Sequence, residues 1–321
     1  MATKVYFHLP GLRQNFVLNM IFVKLMRDYP NFFMSNVEIG SFYGEFPCSR
    51  WNGGRVSVAD QCDANYIRHV IDDVNSAGIP IRYTYTNPLL TEADLDDEYC
   101  NFCMQAADNG MNEVLVVSSI LEEYIRKKYP RFKINSSTCK EIRNIDDVNA
   151  ELKKDYNLVV LDYNFNNDFK VLEKIASRAK CEILVNACCE PNCKRRGEHY
   201  RFLAKQQMQA LDNRKLPEEE RVPIQEWKCK WEHLPTIYSI CGYKTFVSHK
   251  DLWNKYVSMG FCNFKIEGRI TDMLNVMDTY CYYMAKPECR DAVRMMCLIQ
   301  MENMKLITLA KPRRMEWHPG D

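Results

Sequence analysis

Short, β-branched apolar runs alternate with longer amphipathic segments along nearly the whole chain, and this rhythm constrains the fold more than any other feature. The runs are "VYFHLP" (5–10), "VEIGSFYG" (37–44), "IPIRYTYT" (79–86), "EVLVVSS" (113–119), "RFKINSST" (131–138), "NLVVLDYN" (157–164), "EILVNA" (182–187), "KTFVSH" (244–249) and "FKIEGR" (264–269). Between them, "ANYIRHVIDDVNSAG" (64–78) carries apolar residues at helical spacing, with Gly78 as its C-cap. "SSILEEYIRKKYP" (118–130) opens on a serine N-cap and stops before proline. Strand–helix alternation with short connections requires parallel strands and right-handed crossovers, an α/β fold. Apolar residues on consecutive positions, many of them β-branched, as in "VLVV" and "LVVL", are expected where both faces of a sheet are buried. A (β/α)8, TIM-barrel-like fold is the first expectation and an open doubly wound sheet the second. Nine runs are one too many for the barrel, so "KTFVSH" or "VYFHLP" is expected to be peripheral.

The chain has 321 residues, 46% of them hydrophobic, which suffices for a single barrel-like domain over 1–321. One interval breaks the rhythm. Residues 190–243 hold no convincing strand, and so long an irregular stretch implies an inserted lid or binding excursion. Two helical stretches (271–285 and 288–308) follow the last run, and 309–321 reads as a flexible tail. A net charge of +1 gives no bulk electrostatic case for wrapping nucleic acid, which leaves only a local basic patch. The apolar stretch from Phe16 to Met26 is too short to span a bilayer, and Met1 to Leu9 lacks the pattern of a signal peptide. A cytoplasmic protein with no membrane partner is therefore expected. Fifteen cysteines, an odd number, then favour reduced or metal-bound thiols over a disulfide framework.

In a parallel barrel the working face lies at the carboxyl ends of the strands. Here those ends read "GEFPCSR" (44–50), "TN" (86–87), "SST" (136–138), "DYN" (162–164), "NACCEPNC" (186–193) and "EGR" (267–269), a chemically equipped mouth. Any strand must leave the core through polar residues, so each end alone says little. The cysteines say more. Cys189 and Cys193 are spaced to converge from one turn, Cys48 stands at another strand end, and Cys229 lies within the long excursion. Together they form a four-thiolate set suited to zinc or to a [4Fe–4S] cluster. The competing reading is that these thiols are small buried hydrophobes, as free cysteines commonly are. "CNFC" (100–103) sits inside a helical pattern and reads as structural, while Cys188 should point away from Cys189. No glycine-rich phosphate loop, GxSxG elbow or HExxH motif is present.

"VNACCEPNCKRRGEHY" (185–200) together with "FKIEGR" resembles the collagenase-like peptidase family of unknown catalytic type (peptidase family U, number thirty-two). Asn186, Cys189, Cys193, Arg196, His199 and Tyr200 match one family motif, and Phe264 to Arg269 match the other without a gap. "YTNPLLTEADL" (85–95), "YGEFPCSR" (43–50) and "SHKDLWNKYVSMGFCNFKIEGR" (248–269) have family-like counterparts. Lys194 departs from the pattern, which has proline after the second cysteine, and the region around Cys229 matches weakly, so Cys241 is the substitute ligand. The resemblance implies a barrel-like core. Its better-understood relatives act in oxygen-independent hydroxylation, in ubiquinone biosynthesis or on tRNA and ribosomal RNA, with four cysteines holding an iron–sulfur cluster.

The expectation drawn from residues and resemblance together is an enzyme with a [4Fe–4S] cluster (zinc as the alternative) on Cys48, Cys189, Cys193 and Cys229. Its substrate would be RNA or a small aromatic molecule. Glu267 and Arg269 are the candidate catalytic residues, and Arg50, Asn87, Asn186 and His199 join them in lining the substrate pocket. Two rival readings stand beside it: a peptidase of the collagenase-like family, and a zinc-stabilised scaffold that binds a protein partner or RNA without catalysis.

Overall fold

The computed structural model describes residues 3–54, 62–229, 236–268 and 272–309. Eight parallel strands close into a barrel in chain order: β1 (Val5–Pro10), β2 (Val37–Gly44), β3 (Ile81–Tyr85), β4 (Glu113–Val116), β5 (Lys133–Ser136), β6 (Val159–Val160), β7 (Cys181–Leu184) and β8 (Asn263–Lys265). β8 pairs with β1 through Phe264↔Phe7 and so closes the ring. "VYFHLP" is thus an integral strand, and the surplus run is "KTFVSH". Its Val247 makes a single backbone bond to Val185 before the chain turns into a helix.

Outside the ring lie α1 (Phe16–Asp28), α2 (Ala64–Ser76), α3 (Glu98–Ala106), α4 (Ser119–Lys128), α5 (Ile145–Leu152) and α6 (Phe169–Leu172). Their starts follow local chemistry. Asp63, Asp97, Ser118, Asn144 and Asp168 each accept a backbone N–H of the first turn, satisfying donors that a helix start leaves open. α2 ends at Gly78, whose φ of +76° suits a residue without a side chain. The core is apolar on the outer strand faces: Phe7, Phe264 and Tyr283 pack with ring centroids about 6 Å apart between barrel and helices.

The segment after β7 departs from barrel regularity. α7 (Arg196–Asn213) and α8 (Ile237–Ile240) intervene before α9 (His249–Asp251), which runs on as a π-helical turn over Leu252–Tyr256. This last stretch occupies the outer crossover position, with Tyr256 stacked edge-on against Phe169 and Phe264. α10 (Met273–Met284) and α11 (Arg290–Asn303) complete the wall. Of the expected tail, only Leu309 is among the described residues. None of the described helices is long and apolar enough to cross a membrane.

Candidate functional site at the barrel mouth

The lumen is charged. Arg82 on β3 donates through Nε to Glu113 on β4 at 2.7 Å and through Nη1 to Glu182 on β7, while its Nη2 lies 3.0 Å from His8 Nδ1 on β1. Strands β3 and β7 stand opposite one another in an eight-membered ring, so these contacts cross the interior. Burial, followed by the Arg82 charge, pushes His8 down to about 4, and its ring is neutral near pH 7. Arg82 can only donate, so Nδ1 accepts and the proton sits on Nε2, 3.3 Å from Asn263 Oδ1. Burial opposes the charge of Glu182, but Arg82, His8 and Lys265 hold its carboxyl down at about 2. Buried pairs of this kind are sensitive to loss of either partner.

Side chains alternate along a strand, so residues two and four beyond this layer face the same lumen nearer the carboxyl ends. Lys265 follows Asn263; its Nζ lies 3.8 Å from Glu182 and 4.1 Å from the centroid of the Tyr43 ring. Glu267 comes next and accepts the backbone N–H of Cys188 at 3.0 Å. Asn186, four beyond Glu182, brackets the Glu267 backbone: its Nδ2 donates to the carbonyl at 2.9 Å and its Oδ1 accepts the N–H at 2.7 Å. The ends of β7 and β8 are thereby locked together with the carboxylate of Glu267 at the rim. Cys189 packs on Tyr163, Leu184 and Ala187. Burial raises its thiol, the Tyr163 hydrogen bond and the Arg196 charge pull it back, and Cys193 and Glu267 push it up again.

α7 crosses the mouth. At its start Arg196 is paired with Asp162 just beyond β6, both side chains 1% exposed, and lies 3.4 Å from Glu141 beyond β5. The guanidinium also stands 4.6 Å over the Tyr163 ring. Further along, a Cβ at Gly54 would run into the Leu203 carbonyl, and Gln207 Nε2 donates to the Ser49 carbonyl at 3.4 Å. Near the end Asp212 pairs with Arg50 at 2.9 Å, and Arg214 Nη1 donates to the Cys48 thiol. The helix therefore runs from the β5–β6 side to the loop after β2, across the ring. The segment after it returns along the same helix: Asn213 Nδ2 donates to the Val222 carbonyl, Gln209 to Pro223, and Arg195 to Lys228. Trp227 anchors this return between the His199 ring, parallel at 4.8 Å, and the Arg195 guanidinium at 4.2 Å.

This path sorts the expected ligands. Cys189, Cys193 and Cys229 come to the start of α7. Cys48 lies towards its far end, and eighteen residues of α-helix measure about 27 Å. Cys48 is met by Arg214 at that far end, while Cys193 precedes the first turn of the helix. Among the described residues, no group of three or more His, Cys, Asp or Glu is drawn together tightly enough to hold a metal ion. Cys241, the substitute for Cys229, is exposed and donates to the Tyr238 carbonyl. Cys100 and Cys103 are buried in α3.

The remaining expected residues divide as well. Glu267 faces the mouth. Arg50 is engaged by Asp94 and Asp212, and Asn87 holds the Arg50 carbonyl at 2.9 Å, so both brace the loop after β2. His199 is a face for Trp227. Arg269 lies outside the described residues. Asp162 and Tyr163, from the strand end "DYN", take their places at the mouth through contacts with Arg196 and Cys189, and Glu141 beyond β5 is the addition. The sequence signal for Asp162 was its place directly after "VVL".

No family model matches the chain, and no curated protein matches it. Among solved structures the chain is similar to one described as the U32 peptidase Mk0906. The match has a TM-score of 0.45 and 8% sequence identity, and covers 84% of this chain and 94% of that one. The barrel assignment rests on the strand pairing itself.

Proposed function

We propose that the barrel mouth is the active site of a metal- or cluster-dependent modification enzyme acting on RNA or a small aromatic molecule. The observation that carries this reading is the closeness of Cys189 to Cys193 just ahead of α7, beside the mouth carboxylate Glu267, with the chain before Cys229 tied to Arg195 through the Lys228 carbonyl. As they stand these thiols are not drawn together tightly enough for a metal ion, so Cys189, Cys193 and Cys229 would have to close on the group as it binds, with Arg195 and Arg196 offsetting their charge. A [4Fe–4S] cluster, when bound, supplies one-electron redox chemistry.

The chain's own residues do the rest. Asn186 fixes the backbone that carries Glu267, so the carboxylate keeps its place at the rim for proton exchange with a substrate. The Asp162–Arg196 pair sets the start of α7, and the helix across the mouth limits water. Lys265 supplies positive charge below Glu267, where an anionic substrate group would settle. A peptidase reading draws less support, because the hydrogen-bond partner of the Cys189 thiol is the Tyr163 hydroxyl and not an imidazole base.

The test is iron, zinc and acid-labile sulfide content, with a visible spectrum, on protein purified without oxygen. Iron and sulfide near cluster stoichiometry are expected. Zinc without sulfide would favour the binding scaffold, and absence of all three would overturn the reading.

A further inference from the structure

Two cysteines stand side by side at the amino-terminal end of the barrel, away from the mouth. β7 and β8 run in parallel with Glu182 opposite Asn263, Ile183 opposite Phe264 and Leu184 opposite Lys265. One step back along the same register, Cys181 comes opposite Cys262. The Cys262 carbonyl accepts the N–H of Tyr6 on the neighbouring β1, so the chain is already bonded into the ladder there. Glu182 and Asn263 both reach into the lumen, where they meet Arg82 and His8, and alternation puts Cys181 and Cys262 together on the other face. Both thiols meet the same turn: Cys181 donates to the Ser177 carbonyl at 3.5 Å and Cys262 to the Ala179 carbonyl at 3.7 Å. Asn263 Nδ2 donates to the Cys262 sulfur at 3.4 Å. Burial pushes the Cys181 thiol up to about 12, Cys262 adds to the rise, and the charges of Arg178 and Lys180 oppose it.

The spacing of such neighbours selects their chemistry. Adjacent strands lie about 4.8 Å apart, wider than the roughly 3.8 Å between the β-carbons of an unstrained disulfide. Two thiolate–metal bonds of about 2.3 Å, in line, hold their sulfurs about 4.6 Å apart, which the ladder spacing matches. Among the described residues, no third His, Cys, Asp or Glu joins the pair to complete a group that could hold a metal ion. Two ligands are too few for tetrahedral zinc and suit a soft ion that is satisfied by thiolates alone. We infer that Cys181 and Cys262 form a two-thiolate site for a soft monovalent cation of the copper(I) class. Each thiol gives up its proton as its sulfur takes the metal, so two protons are released and no electrons move. The bound pair carries one net negative charge, beside Arg178 and Lys180, and Asn263 keeps its donor on the Cys262 sulfur. Entry is from the Cys262 side, since Cys262 is half-buried and Cys181 fully buried. The site needs nothing from the Cys189 group. It ties the amino ends of the two strands whose carboxyl ends Asn186 and Glu267 join.

The experiment is cysteine mapping of the full chain, reduced, kept without oxygen and equilibrated with copper(I) buffered by bicinchoninate, then alkylated with N-ethylmaleimide and digested. Each cysteine is read against its own metal-free alkylation, and the exposed Cys241 serves as the single-thiol reference. Because the second thiolate binds intramolecularly, Cys262 should be shielded at free copper(I) about a hundredfold below the level that shields Cys241. In Cys181→Ser, checked for an unchanged far-ultraviolet spectrum, the shielding of Cys262 should fall back to that of Cys241. In Cys189→Ser, which leaves β7 and β8 untouched, it should stay at the wild-type level. Shielding of Cys262 and Cys241 at the same copper(I) level in the wild type would overturn the inference, as would full shielding of Cys262 in Cys181→Ser or its loss in Cys189→Ser.

Discussion

The two ends of α7 are held by different physics. At the start, Arg196 and Asp162 are both almost fully buried and share Glu141 and the Tyr163 ring. At the far end, Asp212 is 54% exposed where it meets Arg50. Exposed pairs contribute about 0–1 kcal/mol and are screened by salt, whereas a buried pair broken from one side leaves an uncompensated charge. The start of the helix across the mouth is thus held by buried charge, and its far end in part by an exposed pair.

The largest expected effect follows from the buried end. Arg196→Met should destabilise the protein by about 3–5 kcal/mol, read as a lower urea midpoint, because Asp162 would remain charged and buried. An exposed-site cost below about 1 kcal/mol would erase the contrast between the ends. Acid comes next. His8 is pushed down to about 4 by burial and by Arg82, and His249 to about 4 by burial and by Arg290. Both bind protons more readily when unfolded, so stability is present above about pH 6.5 and falls as pH drops towards 4. The depressed carboxyl of Glu182 extends the loss from about 4.5 towards 2. Unfolding curves against pH, with His8→Gln flattening the upper part, check this.

A middle-sized effect is expected at Gly54, where φ is +84° and an added Cβ would press on the Leu203 carbonyl. Gly54→Ala should cost about 1–3 kcal/mol and raise hydrogen exchange in the second half of α7, leaving the first turn protected. The smallest is Asp212→Ala, at about 1 kcal/mol or less, with salt reducing the difference between variant and wild type.

Much of the fold is legible in the sequence because the outer strand faces keep the consecutive apolar pattern of a doubly covered sheet, as at Val114–Val116 and Leu158–Leu161. Helix starts at Asp63 and Ser118 are equally legible, since a capping side chain acts within three residues. The charged lumen is harder to read. His8, Arg82, Glu182 and Lys265 each interrupt an apolar run, and only their meeting across the ring gives the interruption its meaning. α7 is least legible: it rests on polar loops instead of the core, so its sequence has a weak apolar face. The four-cysteine grouping is legible from strand ends and spacing, whereas the helix that lies between the loop after β2 and the segment after β7 is not.

The most direct test of that separation is metal content in single-cysteine variants purified without oxygen. Cys189→Ser, Cys193→Ser and Cys229→Ser should each lose the bound metal, while Cys48→Ser keeps it at the wild-type level. Loss in Cys48→Ser equal to that in Cys189→Ser would contradict the account, because Cys48 would then share the site that α7 holds it away from.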